Sequence, residues 1–177
     1  MKLLGEICLD KDVKCECFKF ERNARAVILN DKGEIALTYE VKPGMHLLAG
    51  GGVEKGENFI TACKRECLEE VGANVEIMDE VGAVLLSING QGVMQLCECF
   101  VAKVKGKLQC QCLTEGEQDA GIEIHWMGVD EAIKVFESER KKPYKKGGYL
   151  SPESFQKFQI AIERELMFLR EYQKSGT

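Results

Sequence analysis

Between Gly51 and Ala73 the chain reads GGVEKGENFITACKRECLEEVGA, a glycine-rich turn running into a segment with helical spacing. Glu66, Glu69 and Glu70 stand there at offsets i, i+3 and i+4. At about 100° per residue, those offsets place the three carboxylates on one helix face, one turn apart. Exposed helices ordinarily scatter their glutamates or pair each with a lysine four residues away. Three like charges on one patch repel each other unless a cation sits among them. The patch therefore reads as an oxygen-donor site for a hard divalent ion, Mg²⁺ or Mn²⁺.

The rest of the chain has to support that patch. Its 177 residues suffice for one domain with a full core, expected to span 1–177. A hydrophobic content of 45% beside 30% charged residues is that of a soluble globular protein. No apolar run approaches the roughly 18 residues that span a bilayer. The start, MKLLGEICLD, meets acidic residues too early for a secretory signal, so a cytoplasmic protein without membrane partners is expected. Net charge −5 argues against nucleic acid as a partner.

Hydropathy patterning predicts strands over 14–20, 24–30, 34–41, 46–49, 75–88, 93–104 and 122–127. Turns are expected at Asp31–Gly33, Pro43–Gly44 and Asn89–Gly92. A helix is predicted from Phe59 to Val71, with Asn58 as its N-cap and Gly72 as its stop. Its buried stripe would be Phe59, Ile60, Cys63, Cys67 and Val71. A short helix follows from Val129 to about Ser138. The last helix, about 151–173, starts at Ser151 with proline next and carries Phe155, Phe158, Ile162, Leu166 and Leu169 inward. The segment 113–121 reads as an acidic loop and 140–148 as a basic turn. Together these make an α/β protein with one mixed sheet packed between helices.

An odd count of nine cysteines cannot pair completely. Six form Cys-x-Cys pairs (Cys15/Cys17, Cys97/Cys99, Cys110/Cys112), whose period of two puts both members on one face of a strand. Buried strand positions are expected for them, and core packing for Cys63 and Cys67.

The segment Gly51–Ala73 resembles the signature box of the Nudix hydrolases. That pattern is Gly, five residues, Glu, seven residues, then Arg-Glu-aliphatic-any-Glu-Glu-any-Gly-aliphatic. Gly51, Glu57, Arg65, Glu66, Glu69, Glu70 and Gly72 fill all its glycine and charged positions. Cys67 and Ala73 replace the usual larger aliphatics, and Ala49 stands where proline often precedes the glycine pair. The resemblance implies a Nudix-type mixed sheet between helices and metal-dependent hydrolysis of a nucleoside diphosphate linked to another moiety. It implies that the Gly51 carbonyl joins Glu66, Glu69 and Glu70 around the cation. It also implies that Arg65 pairs with a neighbouring glutamate, Glu57 first. Glu70 is the first choice as general base, with Glu117 or Glu115 second. A homodimer is the family's habit.

Recognition of the small-molecule, nucleotide-type substrate is less marked. Arg22 and Arg25 flank a core strand and are candidates to meet phosphate or base, with surface roles equally open. Glu115 is a further candidate at the substrate. Tyr144, Tyr149 and Phe155 offer stacking faces, while Lys141, Lys142, Lys145 and Lys146 offer charge to an anion. His46 and His125 read as structural. Two other readings stay open: a non-catalytic nucleotide-binding module on the same fold, and an isoprenoid diphosphate isomerase. The intact carboxylates weigh against both.

Overall fold

The protein, described here from a computed structural model covering residues 1–8, 19–88 and 92–176, contains one seven-stranded mixed sheet. In chain order the elements are β1 (Leu3–Cys8), β2 (Lys19–Leu29), β3 (Ile35–Glu40), β4 (Met45–Leu48), α1 (Phe59–Val71), β5 (Val75–Ile88), β6 (Val93–Val104), α2 (Glu115–Ala120), β7 (Ile122–Met127), α3 (Val129–Arg140) and α4 (Pro152–Ser175). The strands run β1-β5-β6-β2-β3-β4, and β7 also pairs with β3. β2 lies parallel to β6 over its full length, whereas β5 and β6 form a long antiparallel pair.

Alternation along β2 divides the molecule. Ala24, Ala26 and Ile28 face one side, where they pack with Cys63, Cys67 and Val71 of α1. Val27 faces the other, with Cys97 and Cys99 of β6, Phe136 of α3, and Ile162, Leu166 and Phe168 of α4. Phe136 and Phe168 are fully buried; each such ring stabilises the fold by about 1.5–3 kcal/mol. The small alanines on the α1 side let that helix lie close to the sheet. This close approach brings its carboxylate face to the rim.

Helix α1 begins where expected. The Asn58 side chain accepts the Thr61 N–H at 2.9 Å, and Gly72 closes the helix at φ 71°. A Cβ at Gly72 would also lie 2.1 Å from the Gln109 carbonyl oxygen. β5 and β6 match their expected limits, and α4 runs two residues beyond its expected end.

Several expectations need correction. Ile60 is 45% exposed rather than part of the buried stripe, because Ala62 and Cys63 take the sheet-facing positions. Cys110 and Cys112 are exposed on an irregular segment, not buried in a strand. The acidic loop contains α2, closed by a capping box in which Thr114 and Glu117 bond reciprocally. Strand β1 was not anticipated; it adds parallel to the β5 edge. The expected strand residues 14–18, the Cys15/Cys17 pair and turn residues 89–91 lie outside the described residues.

Candidate active site

The turn 49–53 is held against β2 by backbone bonds: Ala26 N–H to Ala49, Ala24 N–H to Gly51 and Val53 N–H to Arg22. This contact explains the paired glycines. Gly50 has φ 142°, and a Cβ there would sit 2.1 Å from the Ala24 carbonyl oxygen. A Cβ on Gly51 would lie 2.4 Å from Glu66 Oε1, filling the space the carboxylate occupies. The Gly51 carbonyl, expected as a metal ligand, accepts the Ala24 N–H at 2.9 Å and keeps one lone pair for another partner.

Arg65 ties turn and helix together. Its Nε and Nη2 donate to the two oxygens of Glu57, each at 3.1 Å, and Nη2 also donates to the Gly52 carbonyl at 2.8 Å. Its Nη1 donates to Glu66 Oε1 at 2.7 Å and Glu69 Oε2 at 2.9 Å. The pairing with Glu57 thus has the geometry anticipated, and one guanidinium serves three carboxylates. Glu66 and Glu69 each keep a second oxygen.

Glu70 lies deepest. One of its oxygens accepts the Gly50 N–H at 2.8 Å. Burial pushes its carboxyl up to about 8, against the opposing pull of the Arg25 charge and that hydrogen bond. Glu66 and Glu117 push in the same direction as burial. Burial likewise raises Glu66, with Arg65 opposing it. A cavity of about 600 Å³ opens above these groups, walled by Gly50–Glu54, Arg65, Glu66, Glu69, Glu70, Cys112, Leu113, Thr114 and Glu117.

The donor set suits a hard divalent cation. The side chains converging there are carboxylates, and two of them hold protons more tightly than usual, chiefly because burial penalises the charged form and to a lesser degree because other carboxylates lie near. Among the described residues, no three metal-binding side chains already form a cage. Arg65 occupies an oxygen of Glu66 and of Glu69, so metal entry requires those side chains to share or shift.

Other expected residues are spread out. Glu117 walls the cavity, but its Oε2 accepts the Thr114 N–H at 2.7 Å. Glu115 is exposed on the first turn of α2 and is not among the cavity's lining residues. Arg22 stacks over Phe59, 5.6 Å from the ring centroid, and borders a separate cavity beside the box turn. Arg25, of opposite parity on β2, points to the α4 side, with its Nε 3.8 Å from Glu165. Tyr144, Tyr149, Phe155, Lys142 and Lys145 line another cavity with Tyr39 and Lys42. His46 and His125 are partners: their rings share a 2.9 Å N···N hydrogen bond, and His46 Nδ1 meets the buried Glu139 at 2.8 Å.

The residue reasoning missed Glu40 at the end of β3. Its carboxyl is raised by burial, with the Arg25 charge opposing and Glu117 adding to the shift. It also missed Arg164 and Glu165, which are buried on α4.

A family model described as the NUDIX domain matches residues 19–147. No curated protein matches the chain. Among solved structures, the chain is similar to a NUDIX hydrolase from Nitrosomonas europaea, at TM-score 0.57 and 22% identity, over 89% of this chain and 90% of that one. It is also similar to a MutT protein from Methanosarcina mazei Go1, at TM-score 0.53 and 21% identity, over 86% and 98%. A MutT NUDIX hydrolase from Burkholderia pseudomallei aligns at TM-score 0.53 and 20% identity, over 82% and 97%. These structural likenesses speak for the fold, and the family match spans most of the sequence. The chain belongs to the NUDIX family and is a hydrolase of pyrophosphate bonds.

Proposed function

We propose that this protein hydrolyses a nucleoside diphosphate linked to another moiety, with Mg²⁺ or Mn²⁺ held by Glu66, Glu69 and Glu70. The observation that carries this reading is the convergence of Glu70, its carboxyl raised to about 8 by burial, with four further glutamates, Glu54, Glu66, Glu69 and Glu117, on one cavity. Such a wall repels a diphosphate on its own, so substrate and cation have to enter together. When bound, the cation neutralises phosphate charge and acidifies water.

The chain's own groups supply the rest. Gly50 N–H fixes one oxygen of Glu70; the carboxyl, which keeps its proton in the metal-free site, would take the proton from attacking water only once a bound cation has ionised it. As the water oxygen bonds to phosphorus, the bridging P–O bond breaks and a phosphate-bearing product leaves. Arg65 holds Glu66, Glu69 and the turn in register, so the acidic face stays fixed while charge moves. Glu117 is the second choice as base, since its carboxylate is already committed to capping α2. A cytosolic setting fits the free thiols of Cys63, Cys67, Cys97, Cys99, Cys110 and Cys112.

The test is a panel of dinucleotides, sugar nucleotides, ADP-ribose-like compounds and oxidised nucleotides, with Mg²⁺ or Mn²⁺ and product identification. The reading expects a nucleoside monophosphate from at least one member, and none from Glu70→Gln. Tight binding without turnover across the panel would replace hydrolysis with a binding role.

A further inference from the structure

We propose that a small oxyanion, a phosphoryl or carboxylate group, binds in the cavity between β2 and α4 lined by Asn23, Arg25, Gln95, Lys157 and Arg164. This cavity measures about 200 Å³, and its remaining walls are Leu86, Ile160 and Ala161. Not one of its lining residues is acidic, although the chain as a whole carries net charge −5. Three cations and two amides therefore converge on one small space. The size is below that of ordinary organic-ligand sites, which start at about 300 Å³, and suits a compact charged group.

The hydrogen bonding beneath the cavity is incomplete. Arg164 is 3% exposed and donates Nη2 to Glu165 Oε1 at 2.6 Å. Arg25 approaches the same oxygen, Nε to Oε1, at 3.8 Å. A single buried carboxylate thus faces two guanidiniums, while Arg25 also acts on Glu40, Glu66 and Glu70. The Nε atoms of both arginines, and Glu165 Oε2 beside them, are buried without a hydrogen-bond partner. Buried charge of this kind is costly unless it is paired. At the rim, Glu153 pairs with Lys157 itself at 3.2 Å on the exposed face, and Glu21 pairs with Lys19 at 2.8 Å while accepting from Gln95 at 3.3 Å. Guanidinium groups favour planar or tetrahedral oxyanions, because their parallel N–H bonds match two oxygens at once.

The site lies on the sheet face opposite α1, yet one strand from the box, since Ala24 between Asn23 and Arg25 bonds to Gly51. The group that fills it is either the far end of the substrate or a free anion. This inference does not rest on the proposed hydrolysis.

Inorganic phosphate is titrated into the full chain in Mg²⁺ by calorimetry, with melting followed in parallel. Wild type, Arg164→Gln and Lys157→Glu are compared; none alters the box, so any phosphate held there binds equally in all three. Lys157 is largely exposed, so Lys157→Glu keeps the fold even if Arg164→Gln does not. Wild type is expected to bind one phosphate more tightly than Lys157→Glu by roughly tenfold, the effect of replacing one attractive charge-assisted contact. Identical isotherms for wild type and Lys157→Glu, or no phosphate-dependent stabilisation at all, overturn the proposal. A KM increase in Lys157→Glu confined to substrates with a charged distal group assigns the site to the substrate. Phosphate altering kcat at constant KM in wild type, but not in Lys157→Glu, assigns it to a free ion.

Discussion

Replacing Glu70 by glutamine separates stability from catalysis, with opposite signs expected for the two. In the folded protein without metal, the Glu70 carboxyl titrates at about 8, against 4.5 for an unperturbed glutamate. Between those values the folded chain keeps a proton that the unfolded chain has released. Stability therefore falls as pH rises through this window, and the full penalty stands above pH 8. Each pH unit is worth about 1.4 kcal/mol. At pH 7, 7 − 4.5 = 2.5 units above the unfolded value, this amounts to on the order of 3 kcal/mol. Glu70 borders an open cavity, and solvent screening there reduces the figure to about 2 kcal/mol. Glutamine keeps the acceptor for Gly50 N–H and removes the ionisation. Urea denaturation in EDTA, repeated from pH 4.5 to 8.5, should show Glu70→Gln gaining on wild type by about 2 kcal/mol at pH 7, with no difference near pH 4.5. Mg²⁺ should then stabilise wild type more than the variant, while hydrolysis is lost only in the variant. A variant equal to wild type at every pH, or less stable at pH 7, would refute the reasoning.

Arg65→Ala should cost about 2 kcal/mol in EDTA and less in Mg²⁺, because a cation replaces the guanidinium between Glu66 and Glu69; an equal loss in both, by chemical denaturation, would contradict this. In Gly51→Ala the new methyl meets the Glu66 carboxylate, so calorimetry should show Mg²⁺ affinity falling by roughly tenfold or more with the melting temperature largely kept. Among the described cysteines, Cys110 and Cys112 should react with a maleimide in the native state, and Cys63, Cys67, Cys97 and Cys99 only on unfolding. Cys112 walls the box cavity, so its alkylation should inhibit and substrate with Mg²⁺ should protect it; peptide mapping by mass spectrometry checks both.

Legibility in the sequence followed how locally each feature is determined. Helix α1 has its own cap, stripe and stop, so its limits, and the carboxylates on its free face, were readable from spacing. The Arg65–Glu57 tie was also readable, though from the resemblance and not from spacing. Cys97 and Cys99 obeyed the two-residue period because β6 is paired on both sides. Cys110 and Cys112 show the same spacing on a segment without strand partners, where the period carries no meaning. Helix α2 had a visible signal in Thr114 and Glu117, the cap residue and its acid three positions on, which the acidic composition masked. Buried Arg164 and Glu165 could not be read locally, because α4's charge pattern is that of a solvated face. Arg164 pairs with Glu165, and Arg25, arriving from β2, brings Glu165 a second cation. Glu40 was hidden for the same reason: its proximity to Glu117 is produced by the β3–β7 pairing.

The central claim, that the acidic face of α1 grips a divalent cation for pyrophosphate cleavage, is tested most directly by Mn²⁺ binding read by electron paramagnetic resonance. Wild type and the single variants Glu66→Gln, Glu69→Gln and Glu70→Gln would be titrated alongside the hydrolysis assay. The account predicts tight Mn²⁺ binding in wild type, weakened in each variant together with turnover. Undiminished Mn²⁺ binding in all three variants, or hydrolysis that survives their loss of metal, would contradict it.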